Sequence, residues 1–291
     1  MSEPVSGAKL SPTGAIRGVV AAWAISVLLG ALLLVGCGDR TTSPAAGEFT
    51  PRTRGVLTVA TTDIPTPGFW TGTPEHVTGG LEYELARDLA QRFGLKSVSV
   101  RIVHFHRIVG GDLGGADLAL DLITPTAQRE QVLDFSDPYL DGAPTLVVRN
   151  GTSVADLATA RTLRWGAVRA TTFVSIINTL VDPDTPARIY DNTSEMLAGL
   201  EARSVDAVLL DMPFAVATAN ESQGRLQAVA QLPGSETIAA ALPKGSGNVE
   251  AVDSAMRAFT ADGTIEHLLR TWIGPQAADA EKSIPLIRST R

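Results

Sequence analysis

The stretch Val56 to Thr61, VLTVAT, is apolar and β-branched over the length of one strand, and it predicts a buried strand. A turn-rich stretch, DIPTPGFWTGTPEHVTGG, follows it. Leu81, Leu85, Leu89 and Phe93 then recur at helical spacing, and Gly94 supplies a stop, so GLEYELARDLAQRFGL predicts a helix. Glu82 and Glu84 fall at its start, where the helix dipole favours acids. Further strands are predicted at Ser97 to Val103, Asp117 to Ile123, Thr145 to Arg149, Leu163 to Val168, Val205 to Leu210 and Ile238 to Leu242. Helices are predicted from about Thr172 to Leu180, from a Ser194 cap through Ala202, and over Val249 to Thr260 and Thr264 to Trp272. This alternation of strand and helix argues for an α/β class with mostly parallel sheets. Beyond Gly274 the periodicity is lost, and residues 275–291 are expected to form a C-terminal tail.

The N-terminus has a different pattern. Gly18 to Gly36 is uncharged and apolar, and Lys9 and Arg17 precede it, the order of an export signal. The run stops at Leu34-Val35-Gly36-Cys37, which resembles the bacterial lipobox. That resemblance implies a signal peptide over residues 1–36, a lipid on the Cys37 sulfur, and a polar, flexible tether over 37–54. The alternative is an uncleaved membrane helix, for which the run is long enough.

Composition narrows the functional classes. The chain has 291 residues, 44% hydrophobic and 19% charged, with net charge −7, which fits one or two globular domains. The acidic balance argues against a nucleic-acid partner. One cysteine excludes an intramolecular disulfide and a Cys-rich zinc site. His104 and His106 stand two apart without a third ligand suggested nearby. No Walker A, G-x-G-x-x-G, G-x-S-x-G or H-E-x-x-H motif occurs, so no cofactor, metal or catalytic residue is expected.

The segment Thr124 to Tyr139, TPTAQREQVLDFSDPY, is the most specific piece of the chain, supported by GLEYELARDLAQRFGL, by VDAVLLD at Val205 to Asp211 and by ADGTIEHLLRTWIG. Together they resemble the amino-acid type of bacterial extracellular solute-binding proteins (family 3) over about residues 55–274. The resemblance implies a two-lobed periplasmic-binding-protein type II fold with a two-strand hinge. Lobe one would comprise 55–145 plus 240–274 and lobe two 146–239, with hinges near Pro144–Val148 and Thr237–Ala241.

The same resemblance implies site residues. Arg129 would hold a ligand α-carboxylate, for which a planar guanidinium offers two parallel charge-assisted bonds. Thr124 would face the ligand. Leu122 stands where many members have a glycine or small polar residue, and would narrow the pocket. Thr171 and Thr172 match a Gly-Thr-Thr turn that grips the carboxylate at a helix start, with Ala170 in place of glycine. Asp211 ends a buried strand, where an unpaired carboxylate is costly unless a cation meets it, and would take the ligand ammonium; the alternatives are a helix cap or a lobe-to-lobe ion pair. Thr62 stands where many members have Asp, Asp63 being one residue late. Aromatic wall positions fall near Pro65 and at Leu81, and Phe69 or Trp70 could supply the wall from a shifted loop. Asp121, by strand alternation, would point away from Leu122.

The resulting expectation is a lipid-anchored, monomeric, non-enzymatic protein on the extracytoplasmic face of the cell membrane. It would capture an amino acid or similar zwitterion between its lobes and deliver it to an ABC permease. The alternatives are a sensor or regulatory ligand-binding domain, as in modules linked to transglycosylases and histidine kinases, and a cyclohexadienyl-dehydratase-like enzyme with Asp121 or Glu82 as its acid.

Overall fold

A computed structural model of the chain describes residues 47–287. Cys37 and the segment read as an export signal, together with residues 288–291, lie outside the described residues.

The first sheet forms around β1 (Val56–Thr61), whose side chains are almost all buried. A short hairpin, β2 (Thr71–Thr73) and β3 (His76–Gly79), leads to α1 (Leu81–Arg92). The apolar stripe of α1 packs Leu81, Leu85 and Leu89 into the core. Then come β4 (Ser97–Ile102), α2 (Phe105–Ile108), β5 (Leu118–Ala119) and β6 (Leu133–Phe135). The chain leaves through β7 (Leu140–Gly142).

The second sheet begins with β8 (Pro144–Arg149), followed by α3 (Leu157–Arg161), β9 (Trp165–Val168) and α4 (Thr172–Ile176), which widens into a π-turn over Ile177–Val181. It continues with β10 (Arg188–Tyr190), α5 (Thr193–Glu201), β11 (Ala207–Asp211), α6 (Met212–Glu221) and β12 (Leu226–Gln231). The return runs through β13 (Glu236–Ile238) to β14 (Ala241–Pro243), α7 (Val249–Ala261) and α8 (Thr264–Trp272). Among the described residues this gives two five-stranded sheets, ordered β4-β1-β5-β14-β6 and β10-β9-β11-β8-β12.

The expectation of mostly parallel sheets holds for strand direction, with one reversed strand in each five-stranded sheet. In each sheet two of the four joints are parallel and two antiparallel. A single reversed strand accounts for both antiparallel joints: β14 in the first sheet and β8 in the second. Each is the strand by which the chain enters that sheet from the other, so its direction is set by the crossing and not by a βαβ connection.

Four expectations shift. The crossing strands that pair are β7 and β13, so Thr145 to Val148 lies inside the second sheet. Asn192, not Ser194, caps α5, accepting from the Glu195 amide at 2.8 Å. The predicted third strand is only two residues long. Glu82 does not sit in solvent at a helix start. It is fully buried and accepts hydrogen bonds from Trp70 Nε1 at 2.7 Å, from the Leu122 amide at 2.8 Å and from the Tyr139 hydroxyl.

The segment after Gly274 docks. Pro275–Asp279 forms a 3-10 turn and α9 covers Ala280–Ser283. Beyond α9 the chain bridges to β12, with Gln231 N donating to Pro285 O and Ile287 N to Gln231 O, both at 2.8 Å. Ile287 enters the apolar core of the second sheet beside Leu232. Aperiodicity hid this segment because its buried side chains, Ala280 and Ile287, stand seven residues apart in short, unlike turns and leave no repeating pattern. Ile287→Ala should therefore cost about 2–4 kcal/mol and lower the melting temperature by roughly 4–12 °C. An unchanged melting curve would show that the segment contributes no packing.

Candidate functional site

Between the two sheets lies a cavity of about 60 Å³, counted as space open to the centres of water-sized spheres. That is room for about four to six waters. Thr62, Leu122, Thr124 and Arg129 line it from the first lobe, and Thr171, Thr172 and Asp211 from the second. Seven of the eight side chains singled out in the sequence are thus brought together. Leu81 is not among them: it is fully buried in the core under α1, because its place on the apolar stripe turns it away from the cavity. Phe69 and Trp70 are also core residues. The aromatic lining comes instead from Phe105, Phe173 and Phe214.

Arg129 opens a 3-10 turn just before β6 and is 7% exposed. Its Nη1 donates to Thr124 O at 2.6 Å, and its Nη2 crosses to the second lobe and donates to Ala170 O at 2.9 Å. The guanidinium lies 5.3 Å from the centre of the Phe105 ring, a cation–π distance. Burial lowers its pKa, and the charges of Glu236 and Asp211 oppose that shift. Ala170 keeps the left-handed backbone of the turn, at φ 64°, although it has a side chain. That costs of order 1 kcal/mol relative to glycine.

Asp211 ends β11 and stands at the N-cap position of α6, yet its side chain makes no capping bond. It is 4% exposed, and its Oδ1 has no hydrogen-bond partner among the described residues. Burial, and next the charge of Glu236, push its pKa up to about 8. The carboxylate fits because Gly142 on β7 has no side chain: a Cβ there would meet Asp211 Oδ1 at 2.7 Å.

Asp121 was expected to point away from Leu122, but both line the cavity. Leu122 has a positive φ of 52°, which breaks the strand alternation on which that expectation rested. The buried Glu82 accepts the Leu122 amide and so holds this turn from behind. Asp121 accepts from the Thr61 hydroxyl at 2.8 Å, the Thr62 amide at 3.0 Å and the Thr62 hydroxyl. Burial, with the Glu82 charge behind it, raises its pKa to about 7.

Two other acids take donors from the second lobe. Asp63 Oδ2 accepts from the Thr193 and Ser194 amides, at 3.0 and 3.4 Å, at the start of α5. Its pKa is raised by burial. Glu236, on the returning strand β13, accepts from the Thr172 hydroxyl at 3.1 Å. Its pKa is likewise raised by burial, against hydrogen bonds and the charge of Arg129. Sequence reasoning left Asp121 unranked and missed Glu236, Phe105 and Phe214; a carboxylate on a crossing strand was the one signal available for Glu236.

Comparisons with known proteins bear on the family and the fold. A sequence model of the bacterial extracellular solute-binding proteins, family 3, matches residues 57–275. The chain is 24% identical over 226 residues to the L-cystine-binding protein TcyJ of Escherichia coli (strain K12), covering 76% of this chain and 84% of that one. An ancestral arginine-binding protein bound to arginine superposes with a TM-score of 0.67 at 26% identity, covering 76% of this chain and 99% of that one. A shorter similarity, 32% over 123 residues, relates 41% of this chain to 23% of the membrane-bound lytic murein transglycosylase F of Aeromonas hydrophila. The chain belongs to the bacterial extracellular solute-binding proteins, family 3.

Proposed function

We propose that this protein binds an amino acid as its zwitterion in the cavity between its lobes and delivers it to an ABC permease. The observation that carries the reading is that Arg129 and an unpartnered Asp211 carboxylate line one cavity from opposite lobes. The ligand α-carboxylate would meet Arg129 with the Thr124, Thr171 and Thr172 groups, and the α-ammonium would meet Asp211. Each lobe alone supplies half of the charge complement, so the closed arrangement is stabilised only when both halves are filled. TcyJ is a cystine-binding protein and the ancestral structure holds arginine, which supports an amino acid as cargo. The lipid on Cys37 would keep the protein on the extracytoplasmic face of the membrane, with residues 38–54 as tether.

A second reading, ligand sensing without transport, draws on the shared segment with the transglycosylase. Co-purification with a permease on ligand addition separates the two: transport requires it and sensing does not.

Three outcomes test the main reading. Arg129→Ala should weaken amino-acid binding by about 2–5 kcal/mol, roughly thirty- to several-thousand-fold, while the melting curve of the ligand-free protein persists. Unchanged affinity in a calorimetric titration would remove Arg129 from the site.

The raised pKa of Asp211, to about 8, fixes the sign of a pH effect. Arg129, Glu236 and Glu82 are the charges that act on it. Its folded pKa lies above the ordinary carboxylate value, so the ligand-free native state binds the extra proton between about pH 4 and pH 8. This group therefore contributes a loss of stability as pH rises across that window. Ligand ammonium selects the ionised form, so binding should release protons at pH 7 and tighten toward pH 8. Titrations in buffers of different ionisation heat read the proton count. Asp211→Asn should abolish the Asp211 share of that release, and an unchanged count would exclude Asp211 as its source.

Cys37→Ser should move the protein from the membrane fraction to the soluble fraction or block its processing. A variant that stays anchored at the wild-type mature length would refute the lipid assignment.

A further inference from the structure

We propose that the cavity selects an amino acid whose side chain itself carries a positive charge, with Asp121 as the counter-charge for that side chain. This deepens the zwitterion reading above and rests on it.

The argument is a balance of charges. Asp63, Asp121 and Asp211 line the cavity, and Arg129 is its one basic lining residue among the described residues. The α-carboxylate and α-ammonium of any amino acid would pair with Arg129 and Asp211, and those four charges cancel. Asp63 is served by the backbone amides at the start of α5, where the helix dipole suits a carboxylate. Asp121 remains. Its partners are two hydroxyls and one amide, and no basic side chain is among the groups acting on it. Glu82 lies behind it and adds negative potential.

A neutral ligand side chain leaves Asp121 buried without a counter-charge, and an acidic one places a like charge against it. A cationic side chain satisfies it. The left-handed turn at Leu122, held by Glu82, keeps Asp121 on the cavity side. Leu122 and Phe105 offer apolar surface along which the stem of such a side chain can lie while its charged end meets the acid.

The test is calorimetric titration of the full chain in detergent, at about pH 7.5, with L-arginine, L-lysine, L-2,4-diaminobutyrate, L-glutamine, L-glutamate and agmatine. Wild type is compared with Asp121→Asn and Asp121→Ser. The best cationic amino acid should bind wild type at least about tenfold more tightly than glutamine. Either variant should shrink that ratio about tenfold or more while glutamine still binds. Glutamine binding wild type as tightly as the best cationic acid would overturn the proposal, as would an equal loss of both ligands in the variants. If neither variant folds, the wild-type ranking decides. Agmatine, which lacks the carboxylate, tests the underlying reading separately: agmatine binding as tightly as arginine would overturn the zwitterion assignment. Binding of none of the amino acids would overturn both.

Discussion

A buried carboxylate must find a positive charge, a set of hydrogen-bond donors, or a proton. This structure meets that requirement in all three ways around one cavity. Asp63 takes donors from the opposite lobe, and Glu236 takes one from Thr172 in its own. Glu82 takes three donors within its own lobe and is sealed from solvent. Asp211 and Asp121 are raised toward neutrality, to about 8 and about 7, so the proton is their stand-in partner. Arg129 supplies the one cationic side chain of the lining among the described residues. In this cavity donors and protons stand where a cation would, and a ligand ammonium would displace the proton from Asp211.

The arrangement depends on how the chain crosses between lobes. The chain enters each sheet by its reversed strand, β14 or β8, and the paired strands β7 and β13 form the seam. Gly142 in that seam leaves the space that the Asp211 carboxylate fills, and Glu236 in its partner strand reaches Thr172. Hinge and binding site thus share residues, so a displacement of the seam changes the surroundings of Asp211 directly. Coupling of ligand and lobe movement needs no longer route than this.

Much of this was legible in the sequence because it is periodic or motif-like. β1 and α1 are read from apolar spacing, and Arg129, Thr124 and Asp211 from segments whose order resembles a family. What was not legible has physical causes. Asp121 and Leu122 share a wall because one residue with positive φ cancels alternation, and no side-chain pattern announces a left-handed leucine. Leu81 was misplaced because it stands on the buried apolar stripe of α1, which turns it into the core. Glu82 reads as a solvated acid in any sequence, since the Trp70 and Tyr139 donors that bury it are 12 and 57 residues away. The docking of Ile287 and the pairing of β7 with β13 are likewise long-range contacts between short segments.

The charges decide when closure is favourable. The lobes are linked by the bonds from Arg129 to Ala170 and from the α5 amides to Asp63. Hydrogen bonds to charged groups contribute about 1.5–3 kcal/mol each, before the ordering of the side chains is counted. Against them stands the desolvation of Asp211 and Asp121, which is expressed in their raised pKa values and grows as the cavity closes. A bound ammonium reverses the sign of the electrostatic contribution, because the same buried carboxylates then hold a partner in a low-dielectric space. In the proposed function, closure would be conditional on the ligand through Asp211, whose Oδ1 lacks a partner among the described residues, while the interlobe hydrogen bonds would hold the geometry of the bound ligand.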